Sequence, residues 1–175
     1  MTRQRGFTII EIIVGIIVLA IALLGFSVAF GPQAQRSVDS VYQVRATELG
    51  SSLLNEIFSL SFDHANNRSG GSIRCSATPP NACTAAIDFG PEAGEDRDDY
   101  NDVDDFHEFA ASGELLTGTT ISDLYVNFTV AVTVCYSETA IGPCVTSIED
   151  YKKIQVSVTT PAGQVFSFTG YRGNI

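Results

Sequence analysis

The chain of 175 residues has room for one domain, or for one domain and a membrane anchor. Its 20 acidic and 10 basic residues give a formal net charge of −10, which argues against binding nucleic acid or anionic lipid through the main body. Between Phe7 and Phe30 the single charged residue is Glu11, whereas most acidic residues follow position 84. We therefore expect an apolar N-terminal segment and an acidic, water-exposed body.

The N-terminal segment, MTRQRG followed by an apolar run, has the composition of a membrane anchor. Two arginines and no acidic residue before the run predict that this end stays in the cytoplasm. The run is about 24 residues long, which exceeds the core of a secretory signal peptide and suits a spanning helix. No convincing small-residue cleavage site follows it. A plain anchor leaves Glu11 unexplained, because a carboxylate inside a membrane span costs about 3 kcal/mol.

The stretch RGFTIIEIIVGIIVLAIALLG resembles the class III leader and first helix of type IV pilins and pseudopilins. Residues 6–11 fill every position of the short motif: Gly, an aromatic residue, Thr, two aliphatic residues and Glu. The resemblance implies that a prepilin peptidase cleaves between Gly6 and Phe7 and that the new N-terminal Phe7 is N-methylated. It also implies an inner-membrane protein with a cytoplasmic N-terminus, which the inner-membrane assembly machinery adds to other pilin subunits in a surface filament.

Glu11 has a physical explanation in such a filament. After cleavage it would lie about one helical turn from the new amino group of Phe7. A helix N-terminus favours a nearby carboxylate, but a buried charge also requires a specific partner. Our hypothesis is that Glu11 of an incoming subunit pairs with the N-terminus of a subunit already in place, and we assign Thr8 of the same motif to this assembly site. The alternative is a carboxylate at the helix start with no partner.

Beyond the motif, helical spacing continues for about another 30 residues. Gly25 and the Gly31-Pro32 pair are expected to bend or loosen the helix. Apolar residues at three- and four-residue steps, with one longer gap, predict a stripe facing the head: Val38, Val41, Leu49, Leu53, Ile57 and Leu60. The expected segments are a cleaved leader at 1–6, a transmembrane or filament-core helix at 7–31, an amphipathic helix at 32–62 and a globular periplasmic head at 63–175.

The four cysteines form two close pairs, CSATPPNAC and CYSETAIGPC. Four cysteines allow three connectivities, and we favour Cys75–Cys83 with Cys135–Cys144 because each closes a short loop with turn-forming residues. Zinc would require tighter C-x2-C spacing or histidine partners, and free thiols are the remaining alternative. Disulfides would place the head in an oxidising space outside the cytoplasm.

The C-terminal half has the alternation of β-strands. LYVNFTVAVTVCY predicts a strand with Tyr125 and Asn127 on the polar face. YKKIQVSVTT predicts a second, and TPAG a turn into a third, QVFSFTGY. The antiparallel sheet needs a cover on its apolar face, so we expect an α+β fold with the helical stripe packed on the sheet. The apolar face of the first strand is predicted to be Leu124, Val126, Phe128, Val130, Val132 and Val134.

The stretch EDRDDYNDVDDFHEF is the most acidic part of the chain. A solvated loop is the expected structure, with His107 solvated beside it, and a surface for a partner is an alternative. The EF-hand order is absent, but four carboxylates offer oxygen ligands for calcium, the one cofactor considered: Asp98, Asp99, Asp102 and Asp104. Part of this stretch is similar to the Y-x-D-V-D-D-[FY]-H stretch of D-type minor pilins of the mannose-sensitive haemagglutinin pilus.

The sequence has no G-x-S-x-G, phosphate-binding glycine loop or C-x-x-C, so we expect no enzyme activity. Two disulfides, an acidic head and the resemblance favour a minor pilin of a type IV pilus. A pseudopilin of a type II secretion system is the alternative, and a tip adhesin is a second one. A DNA-receptor pilin would need a basic, aromatic-bearing surface, and the head has the opposite charge.

Overall fold

The computed structural model describes residues 6, 8–66, 74–113 and 122–175. The chain divides into two units, Met1–Val41 and Tyr42–Ile175. The predicted α+β class is confirmed by a long helix and an antiparallel four-stranded sheet. The elements are α1 (Ile9–Ser59), β1 (Ala110–Ser112), β2 (Thr129–Ser137), β3 (Tyr151–Thr159) and β4 (Val165–Gly173).

A single helix occupies the place of the two helical segments expected from the sequence. The helix assignment continues through Gly31 and Pro32, and α1 ends at Ser59, before the expected end at position 62. Proline lacks the N–H of one helical hydrogen bond, but its φ angle is that of a helix. Continuation past Pro32 is therefore possible, at the cost of that bond and of crowding between the proline ring and the carbonyl four residues earlier. At the other end, the N–H of Leu60 donates to Ile57 O at 3.2 Å in a final tight turn.

The sheet is a meander in the order β1-β2-β3-β4. Both long predicted strands after position 150 are confirmed, as is the turn between them. In that turn Gly163 donates to Thr160 O at 2.9 Å and has a φ of 78°, a conformation that favours glycine. The registers run from Thr129↔Thr159 to Ser137↔Tyr151 for β2 and β3, and from Tyr151↔Gly173 to Thr159↔Val165 for β3 and β4.

The core of the second unit lies between α1 and one face of the sheet. Apolar residues alternate along β2 and β3, and this alternation buries one side chain in two because successive side chains point to opposite faces. The helical stripe is confirmed in part: Val41 is 47% exposed, whereas Ala46, which we did not assign to it, is fully buried. The buried residues of this layer are Ala46, Leu49, Leu53, Ile57, Val130, Val132, Val134, Ile154, Val156 and Val158.

The residues just before β2 differ from the predicted alternation. Ser122–Tyr125 forms a 3-10 helix, not the start of the strand. Tyr125 is buried, whereas Leu124 and Val126 are 45% and 44% exposed, so the predicted face is wrong at these positions. Asn127 has a φ of 62°, in the left-handed region that asparagine tolerates better than most residues. This residue changes the chain direction before β2 begins.

Two glycines allow aromatic rings to pack against the backbone of the helix and of the sheet. A Cβ at Gly50 of α1 would lie 2.4 Å from the ring of Phe168 in β4. A Cβ at Gly170 of β4 would likewise overlap the ring of Phe58 in α1. From the sequence alone Gly50 is a weakness in the helix. In the structure it sets the distance between α1 and β4.

We predict that Gly50→Ala lowers the free energy of unfolding by about 1–2 kcal/mol, because overpacking outweighs the gain of about 1 kcal/mol in helix propensity. Thermal unfolding followed by circular dichroism measures the change. Ser52→Ala is the matched control, since Ser52 is exposed on the same helix and alanine only improves its propensity. A Gly50→Ala protein as stable as Ser52→Ala would contradict the close packing.

Candidate functional site

The N-terminal motif forms the start of α1. The N–H of Glu11 donates to Thr8 Oγ1 at 3.4 Å and to Thr8 O at 3.1 Å, which makes Thr8 the N-cap. The order T-x-x-E is that of a capping box, and the acid in the first turn also suits the positive end of the helix dipole. Gly6 is exposed. Phe7, the predicted position of cleavage and methylation, lies outside the described residues.

After the cap, α1 presents a continuous apolar surface. Ile9–Ala29 is 21 residues long, has a mean hydropathy of 3.0 over a window of 18 residues, and is not buried within the chain. Large side chains expose from 48% of their surface at Ile13 to 79% at Ile9. An exposed apolar surface of this extent marks a membrane or protein interaction. In the part of the chain that the structure describes, this is the one helix long and apolar enough to cross a membrane.

The structure forms two disulfides, Cys75–Cys83 and Cys135–Cys144, the pairs that loop length favoured. The first bridge is buried in a small second core with Phe62 and Tyr136. The second closes the connection that leaves β2. Each disulfide closes a segment that lies mostly outside the helix and the strands. The disulfides therefore constrain parts of the head that backbone hydrogen bonds of regular structure do not constrain.

A charged network lies inside the head. Lys152 of β3 is fully buried, and its Nζ lies 3.1 Å from Asp63 Oδ2 and in closer contact with Asp104 Oδ1. It also donates to Phe62 O at 2.7 Å. Asp63 Oδ2 in turn accepts from the backbone N–H of Thr84 at 2.9 Å. Three donor positions of the ammonium are thus satisfied, as burial of a charge requires.

Aromatic rings surround the same amine. Nζ of Lys152 lies 4.6 Å from the ring centroid of Phe62, 4.9 Å from that of Phe89 and 5.4 Å from that of Tyr136. The negative faces of these rings add to the attraction of the two carboxylates. The arrangement joins β3, the end of α1 and the acidic stretch into one unit.

The acidic stretch folds around its own aspartates. Oδ1 of Asp102 accepts from the N–H of Asp104 at 2.9 Å and of Asp105 at 3.3 Å. Oδ2 of Asp105 accepts from the N–H of Asn101 at 2.7 Å and of Asp102 at 3.0 Å. These bonds hold a 3-10 helix, Asp104–Phe106, against the end of α1, where Val103 donates to Ser61 O.

The expectation of a solvated loop is wrong for the second half of this stretch. Asp102, Asp104 and Asp105 are at most 2% exposed. His107 is half-buried, and its Nδ1 accepts from the N–H of Val134 at 3.2 Å, so it is a partner of β2 and is not solvated. Side-chain length explains the error: a short carboxylate can turn back to its own backbone, which a charge count does not reveal.

The four predicted calcium ligands do not form one site. Asp98 and Asp99 are exposed, whereas Asp102 and Asp104 are buried, and Asp104 is paired with Lys152. Among the groups of side chains in the described residues that are close enough to share an ion, only one contains any of the four, namely Asp102 with His64 and Glu92. Asp98 and Asp99 lie in one 3-10 turn, Arg97–Asp99, which has no buried residue, whereas Asp104 lies in a second one, Asp104–Phe106, which is buried throughout.

Burial sets the protonation of two acids here. Burial, with support from Asp104 and Asp105 and against the effect of Lys152, raises the pKa of Asp102 from 3.8 to about 9. Burial, a hydrogen bond with Glu95 and the charge of Asp105 raise the pKa of Glu92 to about 7. Because the pKa of each acid is higher in the folded than in the unfolded protein, folding takes up protons. The stability that each acid contributes is complete below its unfolded pKa and is lost as the pH rises through its folded pKa.

We therefore predict that the protein in chelator loses stability as the pH rises from about 5 to about 8. Asp102→Asn, which mimics the protonated acid, is expected to be more stable than the unaltered chain at the upper end of this range. Its melting temperature should also vary less with pH. Asp98→Asn, an exposed acid of the same stretch, is the control. Parallel melting curves for the unaltered chain and Asp102→Asn across this range would contradict the raised pKa.

The sequence-based interpretation missed Lys152, although a signal was present. In YKKIQVSVTT, Lys152 shares the strand face of Ile154, Val156 and Val158, which we assigned to the core. A lysine in phase with buried residues predicts a buried amine with an acidic partner. The identity of that partner, Asp63 or Asp104, depends on contacts between residues far apart in sequence.

Comparison with known proteins supports the assignment of the N-terminal motif. The family model of the prokaryotic N-terminal methylation motif matches residues 1–27. No curated protein and no solved structure matches the chain. The matched segment includes Thr8, Glu11 and most of the exposed apolar surface of α1. The chain therefore carries a class III prepilin leader, which supports a type IV pilin-like protein, and its α+β fold is consistent with that of type IV pilins.

Proposed function

We propose that the chain is a minor pilin of a type IV pilus, assembled from the inner membrane into an adhesive filament. The observation that carries the proposal is the uncovered apolar helix with one carboxylate in its first turn. In the membrane the apolar surface faces lipid, and in a filament the same surface packs against helices of other subunits. Proteins with this leader are structural subunits and not enzymes, so no substrate is proposed.

Processing is the first step of the proposed pathway. Prepilin peptidase cleaves between Gly6 and Phe7 on the cytoplasmic side, and Phe7 is then N-methylated. The resulting ammonium and Glu11 of a neighbouring subunit form an ion pair in an apolar environment, where each charge strongly disfavours the loss of the other. The amino group of Phe7 can therefore pair with Glu11 of a neighbouring subunit only after the leader has been removed.

Three features of the head support the role of a minor pilin. It carries two disulfides and a strongly acidic composition, and its Y-N-D-V-D-D-F-H stretch is the one similar to D-type minor pilins of the mannose-sensitive haemagglutinin pilus. The alternative is a pseudopilin of a type II secretion system, which shares the leader and the helix. A tip adhesin is a second alternative.

Deletion of the gene separates these functions. A minor pilin predicts loss or reduction of surface filaments with normal secretion of exoproteins. Loss of secretion with intact pili would identify a pseudopilin, and normal filaments that fail to adhere would identify an adhesin. Mass spectrometry of the membrane-extracted protein is the companion measurement. Retention of residues 1–6 in cells with an active peptidase would contradict the whole pathway.

A further inference from the structure

Four oxygen-bearing side chains meet near the surface of the head, and we call them the oxygen cluster: Glu92, Glu95, Asn101 and Asp105. Carboxylate oxygens of the three acids lie within 4.8 Å of one another. Asn101 joins them, since its Nδ2 donates to Glu95 Oε1 at 2.5 Å. The cluster comes from two turns of the acidic segment and was not among the calcium ligands expected from the sequence.

Three oxygens of the oxygen cluster are buried and lack a hydrogen-bond donor among the described residues: Glu92 Oε2, Asn101 Oδ1 and Asp105 Oδ1. Asp105 is the strongest case, because the residue is 1% exposed and its other oxygen already accepts two backbone bonds. Buried acceptors without a donor are uncommon in folded proteins. Three in one cluster indicate a missing electropositive partner.

Within the described residues, no basic side chain forms a hydrogen bond to any of these three oxygens. Arg97 pairs with Glu56 at 2.6 Å, and Lys152 pairs with Asp63 and Asp104. His64 Nδ1 lies 3.5 Å from Glu92 Oε1, which is not one of the three oxygens. Of these three basic residues, only His64 forms an ion-pair contact with a member of the oxygen cluster.

A proton shared between two acids of the oxygen cluster is the competing explanation, but it does not satisfy all three unpaired oxygens. A proton between Glu92 and Glu95 would give one carboxylate oxygen a donor. It would leave Asp105 Oδ1 unsatisfied, and it cannot serve Asn101 Oδ1, because an amide oxygen is not protonated under these conditions. If the side-chain amide of Asn101 were reversed, its oxygen would face Glu95 Oε1. Two acceptor oxygens would then be in contact, and a cation between them would be needed to relieve their repulsion.

We propose that the oxygen cluster binds one calcium ion through Glu92, Glu95, Asp105 and the side-chain oxygen of Asn101. Calcium prefers carboxylate and amide oxygens at about 2.3–2.6 Å, so ligands on opposite sides of the ion lie about 4.6–5.2 Å apart. The carboxylate oxygens of the three acids are close enough for one ion to contact all of them. Magnesium would require a tighter octahedron, about 4.0–4.2 Å across. Glu92 and Glu95 are partly exposed, which leaves room for water to complete the shell.

The test uses the full-length protein in detergent micelles, freed of metal by chelation. Calcium chloride is titrated by isothermal calorimetry, and melting temperatures are compared in calcium, magnesium and chelator. We expect one calcium per chain and a rise in melting temperature of about 5 °C at a hundredfold excess over the dissociation constant. The rise in magnesium is expected to be smaller.

Glu95→Gln is the decisive variant, because Glu95 is partly exposed and the change keeps its size. It is expected to remain folded by circular dichroism and to lose at least tenfold in calcium affinity. Asp98→Asn and Asp99→Asn, exposed acids of the same segment, are matched controls that should bind as the unaltered chain does. Asp105→Asn serves as a second ligand variant if it folds.

Two results would overturn the proposal. One is a folded full-length protein that shows neither heat nor a melting shift in millimolar calcium. The other is equal loss of binding in Glu95→Gln and in the Asp98 and Asp99 controls, which would indicate nonspecific attraction to an acidic surface. Neither result bears on the proposed pilin function, because that function rests on the N-terminal motif and α1.

Discussion

Lys152→Met is expected to lower the free energy of unfolding of the head by about 3–5 kcal/mol, because it leaves two buried carboxylates without their cation. Asp63 and Asp104 are nearly inaccessible to water, so they cannot recover the loss by hydration. Methionine fills much of the volume of lysine, and the effect therefore reports on charge more than on packing. Thermal unfolding in detergent, followed by the near-ultraviolet circular dichroism of the head tyrosines, measures it.

Lys153→Met is the matched control, since Lys153 is the next residue of β3, on the opposite face and partly exposed. It should change the free energy of unfolding by less than about 0.5 kcal/mol. Adding Asp63→Asn and Asp104→Asn to Lys152→Met is expected to restore part of the stability, because neutral side chains replace the stranded charges. Equal melting temperatures for Lys152→Met and Lys153→Met would show that the buried ion pair is not important for the fold.

Glu11→Ala is expected to leave membrane insertion intact and to reduce incorporation into filaments by about 100-fold or more. Removing one partner of a buried ion pair costs about 3–5 kcal/mol, and each 1.4 kcal/mol is a factor of ten. Insertion is unaffected because loss of the carboxylate makes the span more apolar. Membrane fractionation measures insertion, and immunoblots of sheared surface filaments measure incorporation.

Glu138→Ala removes an equal charge from an exposed position in the head and is the control for net charge. It should enter filaments normally. Incorporation of Glu11→Ala at the level of this control would contradict the pairing of Glu11 with a neighbouring N-terminus. The capping bond from the Glu11 N–H to Thr8 persists in the alanine variant, so a loss of incorporation would not arise from a missing backbone donor.

The N-terminal segment was predictable because its signals are local. Length and hydropathy define an apolar helix, and the spacing from Gly6 to Glu11 defines the leader motif, without reference to any distant residue. The strands β2, β3 and β4 were predictable for a similar reason, since alternation follows from the pleat of a strand. Close cysteine pairs likewise limit the connectivity through loop length.

Other features depended on contacts between distant parts of the chain. The short strand β1 has no distinctive pattern of its own, and its pairing with β2 defines it. Tyr125 is buried and Leu124 exposed because the chain turns at Asn127. Gly50 is explained by Phe168, a residue on a strand more than a hundred positions away.

The acidic stretch shows the difference most clearly. By itself the sequence determined that this protein has a leader motif, an apolar helix and an acidic α+β head, since motif, composition and periodicity follow from neighbouring residues. It could not separate the aspartates that face water from those that bind Lys152 or their own backbone. Only the tertiary structure decided this, because the energy of a carboxylate depends on burial and on the donors around it, which come from residues distant in sequence.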